Sequence, residues 1–255
     1  MGRPLPRLTA TSDGIPFSEL NIYRLDNRKI GWGLRRAGNS QPEVPRAWVE
    51  ALDRFGALFM GCAHDKSIYL TFDAGYENGY TAKILDALLA NGVKGTFFIT
   101  GSYLDRNPDL VRRMIDEGHI IGNHSDRHPS LPGVSYERVV REIVDVNDRF
   151  YEKFGLNMTY FRPPNGEISE RVLAITAREG YRTVMWSLAY LDYDVNNQRG
   201  EEFAYRMLMD NLHSGAIILL HTVSRDNANV MDRFLRDAIA LGYTFKSLDD
   251  FSRQS

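Results

Sequence analysis

The sequence holds a single cysteine, Cys62, in 255 residues, so no intramolecular disulfide framework ties its fold together. No apolar run approaches the roughly 20 residues that a membrane helix needs. Neither sign of charge is in excess. Lys plus Arg total 31 against 33 Asp plus Glu, a formal charge of -2, which argues against a dedicated nucleic-acid binder. There is no internal repeat and no low-complexity tract. No G-x-G-x-x-G follows the first regular strand, which disfavours a dinucleotide-binding sheet. The opening MGRPLPRLTATSDG has no apolar h-region, so no signal peptide is expected in this chain. A chain of this size needs no disulfide, so the lone cysteine does not argue against an exported protein. What is present is 43% hydrophobic and 25% charged residues, enough for one sizeable core and too apolar for a disordered chain.

Patterning divides the chain unevenly. Residues 1 to about 20 are rich in Pro, Thr, Ser and Gly and read as a flexible lead-in. Residues 21–66 are irregular, with a short helix expected over 45–55, where Trp48, Leu52 and Phe55 share a face. About 45 residues make a marginal core alone, so 1–66 is expected to be an extension packed on a main domain of 67–255. From residue 67 the pattern is regular. Strands are expected at 67–72, 95–100, 119–122, 159–161, 181–187, 216–220 and 243–247. Helices are expected at 82–91, 107–117, 135–154, 169–179, 202–212 and 227–241, four of them closed by Gly92, Gly118, Gly180 and Gly242. Seven strands alternating with six helices imply an α/β chain with parallel strands and right-handed crossovers. That suits a closed or nearly closed β/α barrel, with a doubly wound open sheet as the alternative.

The ionisable residues sit where such a barrel puts chemistry, just past the strands. Asp73 follows the first strand, His124 and His128 the third, Arg162 the fourth, Asp192 and Asp194 the fifth, and His221 ends the sixth. Histidines four apart share a helix face or flank a tight loop, and imidazole suits zinc or another borderline metal. Two polar loop histidines are the plainer reading. Asp73, between a strand and a glycine-rich turn, is either a turn-capping aspartate or a general base that activates water. His221 alone reads as a satisfied core histidine. Opposite a carboxylate on the same rim it reads as the acid of a hydrolytic acyl transfer. Arg162 is a simple salt-bridging arginine, or the group that holds the base ionised. Asn123-His124-Ser125 and Asn157-Met158-Thr159 match a glycosylation pattern too common to count. Tyr76, Tyr80, Phe161, Trp186, Tyr190 and Tyr193 gather near the rim, most as core and one or two as faces for a sugar ring.

These motifs, in this order, resemble the polysaccharide deacetylase family, carbohydrate esterase family 4 with its NodB homology domain. Thr71-Phe72-Asp73-Ala74-Gly75 is similar to the first motif, T-F-D-D-G, and His124-Ser125-Asp126-Arg127-His128 to the second, H-S/T-x-x-H. Arg162-Pro163-Pro164-Asn165-Gly166 is similar to the third, R-x-P-x-G. Trp186 with Leu191-Asp192-Tyr193 stands for the fourth, and Leu219-Leu220-His221 for the fifth. FDAGYENGYT, GTFFITG, EGHIIGNHS, NNQRG, GAIILLHTVSRDNA and the N-terminal IGWGLRR are similar to the delta-lactam-biosynthetic subgroup. The resemblance implies a distorted β/α barrel and removal of N-acetyl groups from muramic acid in peptidoglycan, leading to muramic delta-lactam in spore cortex. It implies Asp73 as base, His221 as acid, Arg162 as the tether of Asp73 and Asp192 as the group tuning His221. His124 and His128 would bind a divalent metal, zinc by expectation, and Tyr76, Trp186 and Tyr193 would meet the substrate. The family's second aspartate, usually the third metal ligand, is Ala74 here, which leaves Asp126 or Glu77 as conceivable replacements. The implied partner is a peptidoglycan strand met outside the cytoplasm, in cell wall or spore cortex, by a monomer with no nucleic-acid partner and no membrane span. An N-acetylglucosamine deacetylase, an acetyl esterase and a catalytically weak glycan-binding module are the competing readings.

Overall fold

The computed structural model describes residues 7–251, so the start of the expected lead-in and the last four residues lie outside the described residues. Chain order begins with β1 (Ile30–Gly31), α1 (Arg46–Arg54) and β2 (Ser67–Ala74). There follow α2 (Thr81–Ala90), β3 (Thr96–Ile99), α3 (Gly101–Arg106), α4 (Pro108–Asp116) and β4 (Ile120–Asn123). Then come α5 (Tyr136–Phe154), β5 (Tyr160–Phe161), β6 (Glu167–Ile168), α6 (Glu170–Arg178), β7 (Arg182–Thr183) and β8 (Leu188–Ala189). The chain closes with α7 (Glu201–Met209), β9 (Ala216–His221), α8 (Arg225–Ala240) and β10 (Thr244–Phe245).

One sheet dominates, in the order β7-β5-β4-β3-β2-β9-β8, with β10 added beside the start of β2. Every pairing in it is parallel. It is curled into a half-barrel, consistent with the distorted β/α barrel that the family resemblance implies, rather than an open doubly wound sheet. All eight residues of β2 are buried, because a central parallel strand is covered on both faces. That is why SIYLTFDA lacks the alternation of a half-exposed strand.

The run expected as one strand at 181–187 holds only the short β7, with β8 just past its end, and these two strands lie at opposite ends of the sheet order. Arg182 and Val184 donate N–H to Thr159 and Phe161 at one edge, and Ser187 donates to Ile217 at the other. One extended segment therefore joins both edges. Leu58 fills the seam between them, donating to Thr183 O and accepting from Met185 N at 2.7 Å each. The extension contributes a second tie through β1, which pairs antiparallel with β6. A helix not expected from the sequence, α3, starts where the Thr100 side chain accepts from Tyr103 N at 3.1 Å. Among the described residues, no helix is long and apolar enough to cross a membrane.

Candidate active site

Parallel register brings the site together before any side chain is considered. Asp73 and His221 are Cα partners at the ends of β2 and β9. Asn123 of β4 pairs with Phe161 of β5, so His124 and Arg162 each emerge one residue past a paired strand end. All three side chains that follow from this register are packed in: Asp73 is 6% exposed, His124 4% and Arg162 fully buried.

The Arg162 guanidinium donates from Nη1 to Asp73 Oδ1 at 2.9 Å. Its Nε and Nη2 donate to the carbonyls of Val184 and Met185, at 3.1 and 3.3 Å, in the barrel seam. Its plane lies over the Phe98 ring, 4.2 Å from the centroid. Burial opposes ionisation of Asp73, but the neighbouring imidazoles and Arg162 outweigh it and hold the carboxyl below the ordinary range.

The two histidines of the H-S-D-R-H stretch flank a tight turn rather than sharing a helix face. Ser125 and His128 both adopt positive φ, at 65° and 58°, a strained choice for residues with a side chain. The turn is held against that strain from beneath. Asn123 Oδ1 accepts from Ser125 N, Ser125 Oγ from His128 N, and the buried Glu142 from Arg127 N. His124 Nδ1 is 2.8 Å from the carbonyl of Arg162, which fixes the proton there and turns Nε2 inward. His124 Nε2 lies 3.2 Å from His128 Nε2 and 3.4 Å from Asp73 Oδ2. Burial pushes the His124 imidazole down to about 4 against the pull of Asp73, and burial also lowers His128. Both rings are therefore neutral at pH 7, as metal ligands must be.

Two imidazole nitrogens on one tetrahedral zinc, each about 2.0–2.1 Å from it, sit about 3.3 Å apart. The observed 3.2 Å fits two corners of such a site. A third protein ligand is missing. Ala74 has none to offer, and the replacements considered from the sequence are engaged elsewhere. Asp126 is paired with Arg149 and Arg127, and Glu77 accepts from Gly79, Thr81 and Tyr103. Among the described residues no group of three His, Cys, Asp or Glu side chains is arranged around a metal position.

His221 faces a different partner. Its Nδ1 is 2.7 Å from Asp192 Oδ1, and its backbone N–H donates to Asp192 Oδ2 at 2.7 Å. Burial works against the imidazolium, but the Asp192 carboxylate overcomes it, so the His221 ring titrates above the ordinary value. Asn227, on the first turn of α8, was not singled out in the sequence. It is fully buried and donates from Nδ2 to Asp192 Oδ2 at 2.6 Å and to His221 O at 3.2 Å. The Tyr190 hydroxyl donates to its Oδ1, which fixes the amide orientation. Its place three residues after the Ser224 N-cap is the cue that the local sequence offers, and it does not mark the residue as buried.

These groups open on one cavity of about 1160 Å³. It is lined by Asp73, His124, His128 and His221, and by Tyr76, Trp186, Tyr190 and Tyr193. Tyr76 and Tyr193 are 50% and 55% exposed, and the Tyr193 ring meets His221 edge-on at 5.4 Å. Tyr80 and Phe161 are not among the lining residues; Phe161 is core. Asp194 is also absent from the wall, and its carboxylate caps Asn196 N in an exposed turn. The Tyr76 backbone N–H, three residues past Asp73 in the chain, has no acceptor among the described residues.

Residues 60–184 match the family described as polysaccharide deacetylase. The chain is 47% identical over 226 residues to the peptidoglycan-N-acetylmuramic acid deacetylase PdaA of Bacillus subtilis (strain 168), covering 88% of this chain and 86% of that one. The solved structure of Bacillus subtilis PdaA, a family 4 carbohydrate esterase, matches with a TM-score of 0.87 at 45% identity, over 89% of this chain and 98% of that chain. A family 4 carbohydrate esterase from Bacillus anthracis matches with a TM-score of 0.76 at 40% identity, over 89% and 97% of the two chains.

Proposed function

The chain belongs to the polysaccharide deacetylase family, and from that premise we propose that it hydrolyses the N-acetyl group of muramic acid residues in peptidoglycan. The observation that carries this reading is the pair of dyads facing one cavity: Asp73 held ionised by Arg162, and His221 held protonated by Asp192. A carboxylate base and an imidazolium acid are what amide hydrolysis requires. Asp73 takes a proton from water as the oxygen attacks the acetyl carbonyl carbon. The Tyr76 backbone N–H donates a hydrogen bond to the developing oxyanion. His221 gives its proton to the amide nitrogen as the C–N bond breaks, releasing acetate and the free amine. Asp192 and Asn227 keep the imidazolium oriented, and Trp186, Tyr76 and Tyr193 offer faces to the sugar.

Deacetylases of this family are generally metal-dependent. His124 and His128 would hold a divalent ion, zinc by its ligand chemistry, which when bound polarises the acetyl carbonyl. With two protein ligands instead of three, that ion is held more weakly than in a three-ligand site. Residues 67–255 would form the catalytic domain, with 1–66 packed on it, acting as a monomer. The PdaA likeness supports action on cell-wall peptidoglycan outside the cytoplasm. Closure of the freed amine on the lactyl carboxyl, giving muramic delta-lactam in spore cortex, would follow.

Acetate release from peptidoglycan glycan strands, with and without chelator and then with added zinc, tests the reading. Release that falls by at least a thousandfold in Asp73→Asn, with the fold intact, is expected. Near wild-type turnover by that variant sinks the assignment of the base. Turnover confined to N-acetylglucosamine oligomers sinks the assignment of the sugar. Glycan binding with no turnover under any metal condition marks a binding module instead.

A further inference from the structure

One element of the cavity wall has no part in the chemistry above. Residues 33–36, Gly-Leu-Arg-Arg, line the cavity although they belong to the extension. They form a strap between two anchors. On one side Trp32 is buried, donates N–H to Gly166 O at 2.8 Å and Nε1–H to Trp186 O at 2.8 Å. On the other side Asn39 Nδ2 donates to the carbonyls of Met209 and Leu212, and Gln41 Nε2 to those of Gly61 and Ser214. Between the anchors the chain crosses the cavity edge with Arg35 and Arg36 exposed.

The charge of the wall is unbalanced there. Its two carboxylates already have cations: Asp73 has Arg162, and Asp126 has Arg149 and Arg127. Among the described residues, no carboxylate lies within 4 Å of either Arg35 or Arg36. A protein of net charge -2 thus presents two unneutralised guanidinium groups at its catalytic cavity. Guanidinium groups grip carboxylates through paired N–H donors. N-acetylmuramic acid differs from N-acetylglucosamine only by the lactyl ether on O3, whose carboxylate is a neighbour of the acetamido group on C2.

We propose that Arg35 and Arg36 bind the free lactyl carboxylate of muramic acid and so select peptide-free muramic acid residues. This rests on the reading of the cavity as a muramic acid deacetylase site. In a strand that bears stem peptides the lactyl carboxyl is an amide and carries no charge. Such a strand loses the contact, as does N-acetylglucosamine.

The test compares kcat/KM for acetate release on four substrates: glycan oligomers with free lactyl carboxylates, the same oligomers as lactyl methylamides, peptide-bearing strands, and N-acetylglucosamine oligomers. The enzymes are the wild type, Arg35→Gln/Arg36→Gln, and Arg35→Lys/Arg36→Lys. A charge-assisted contact of this kind corresponds to about a 10- to 100-fold preference. The wild type is expected to prefer the free acid over the methylamide by that factor at low salt, with the preference shrinking as salt rises. The Gln pair is expected to bring the acid-to-amide ratio to about one, and the Lys pair to restore part of it. A ratio near one in the wild type, or a ratio unmoved in the Gln pair, overturns the proposal. Peptide-bearing strands handled as well as the free acid place the recognised anion on the peptide and overturn the lactyl assignment. If the wild type releases no acetate from any muramic acid strand, the proposed reaction has failed. Calorimetric binding of free-acid and methylamide oligomers to the same enzymes then decides the arginine proposal separately, with tighter free-acid binding lost in the Gln pair supporting it and equal binding refuting it.

Discussion

Replacing Arg162 by methionine isolates the strongest interaction in the site. The side chain is fully buried, and so nearly is Asp73, at 6% exposure. Methionine keeps the length and apolar stem but removes the charge and the donors to Asp73, Val184 O and Met185 O. What remains is a buried carboxylate without its cation. Removing one member of a buried pair costs about 3–5 kcal/mol, the lost carbonyl contacts belonging to the same deletion. At about 2–4 °C per kcal/mol for a chain near this size, the melting temperature falls by about 6–20 °C. Asp73→Asn and the double variant complete a cycle. The double variant carries neither charge, so it is expected to be more stable than Arg162→Met alone.

The pH dependence carries a second signature. With Arg162 present the Asp73 carboxyl is depressed, so the pair's stability is present above the unfolded carboxylate value and lost as pH falls through the folded one. The stability gap between wild type and Arg162→Met therefore narrows on acidification. In the variant the main cause left on Asp73 is burial, which raises it, and the acid limb of kcat/KM moves to higher pH. Urea or thermal unfolding at pH 7 and pH 5, with acetate release across the same range, checks both. A melting-temperature loss under about 2 °C, or a double variant less stable than Arg162→Met, refutes the account of the pair.

Asn227→Ala removes a donor to Asp192 and is expected to lower kcat about tenfold with little change in KM; an unchanged kcat means Asn227 does not position the acid. His124 and His119 are both pushed by burial from 6.5 to about 4, so the unfolded chain takes up protons that the folded chain refuses. Stability is complete above 6.5 and lost as pH falls toward 4, by up to about 3 kcal/mol per ring, and urea midpoints equal at pH 7 and 4.5 contradict this. Gly166 sits at φ 64°, and a Cβ there would stand 2.6 Å from Trp186 Cη2. Gly166→Ala is expected to cost about 1–3 kcal/mol and to displace Trp186 from the cavity wall, seen as a change in tryptophan fluorescence.

The order of strands and helices was legible because each barrel unit repeats one rhythm, an apolar run and then an amphipathic helix. The chemical residues were legible because they stand directly after those runs. Where the rhythm is too short to register, the sequence was silent. Six residues of α3 make fewer than two turns, and its cue is the Thr100 cap alone. The break between β7 and β8 was hidden because no Gly or Pro punctuates residues 181–189, and only the pairing partners of the two strands differ. The supporting polar residues were hidden for another reason. Glu142 holds the histidine turn from 15 residues away and Asn227 holds Asp192 from 35, separations set by the packing of helices on the sheet. Nothing in the local sequence marks either as buried.

The site asks opposite things of chemically identical rings, and the Nδ1 partner decides which each does. His124 points Nδ1 at a backbone carbonyl, which accepts a proton but carries no charge to stabilise a second one. Buried beside it, the ring stays neutral and offers Nε2 as a lone pair. His221 points Nδ1 at the Asp192 carboxylate, which stabilises the imidazolium against the same burial and leaves Nε2–H for the proposed role as acid. Asp73 sits between the two, in register with His221 and 3.4 Å from His124, and both rings together with Arg162, which also donates a hydrogen bond to it, hold it ionised against its burial. The same Arg162 supplies the carbonyl that fixes His124. A single residue just past β5 thus helps to hold the charge of Asp73, the proposed base, through its side chain and fixes the tautomer of the His124 imidazole through its backbone. Substitution of its side chain therefore separates the two: Arg162→Met disturbs the base and leaves the hydrogen bond to His124 in place.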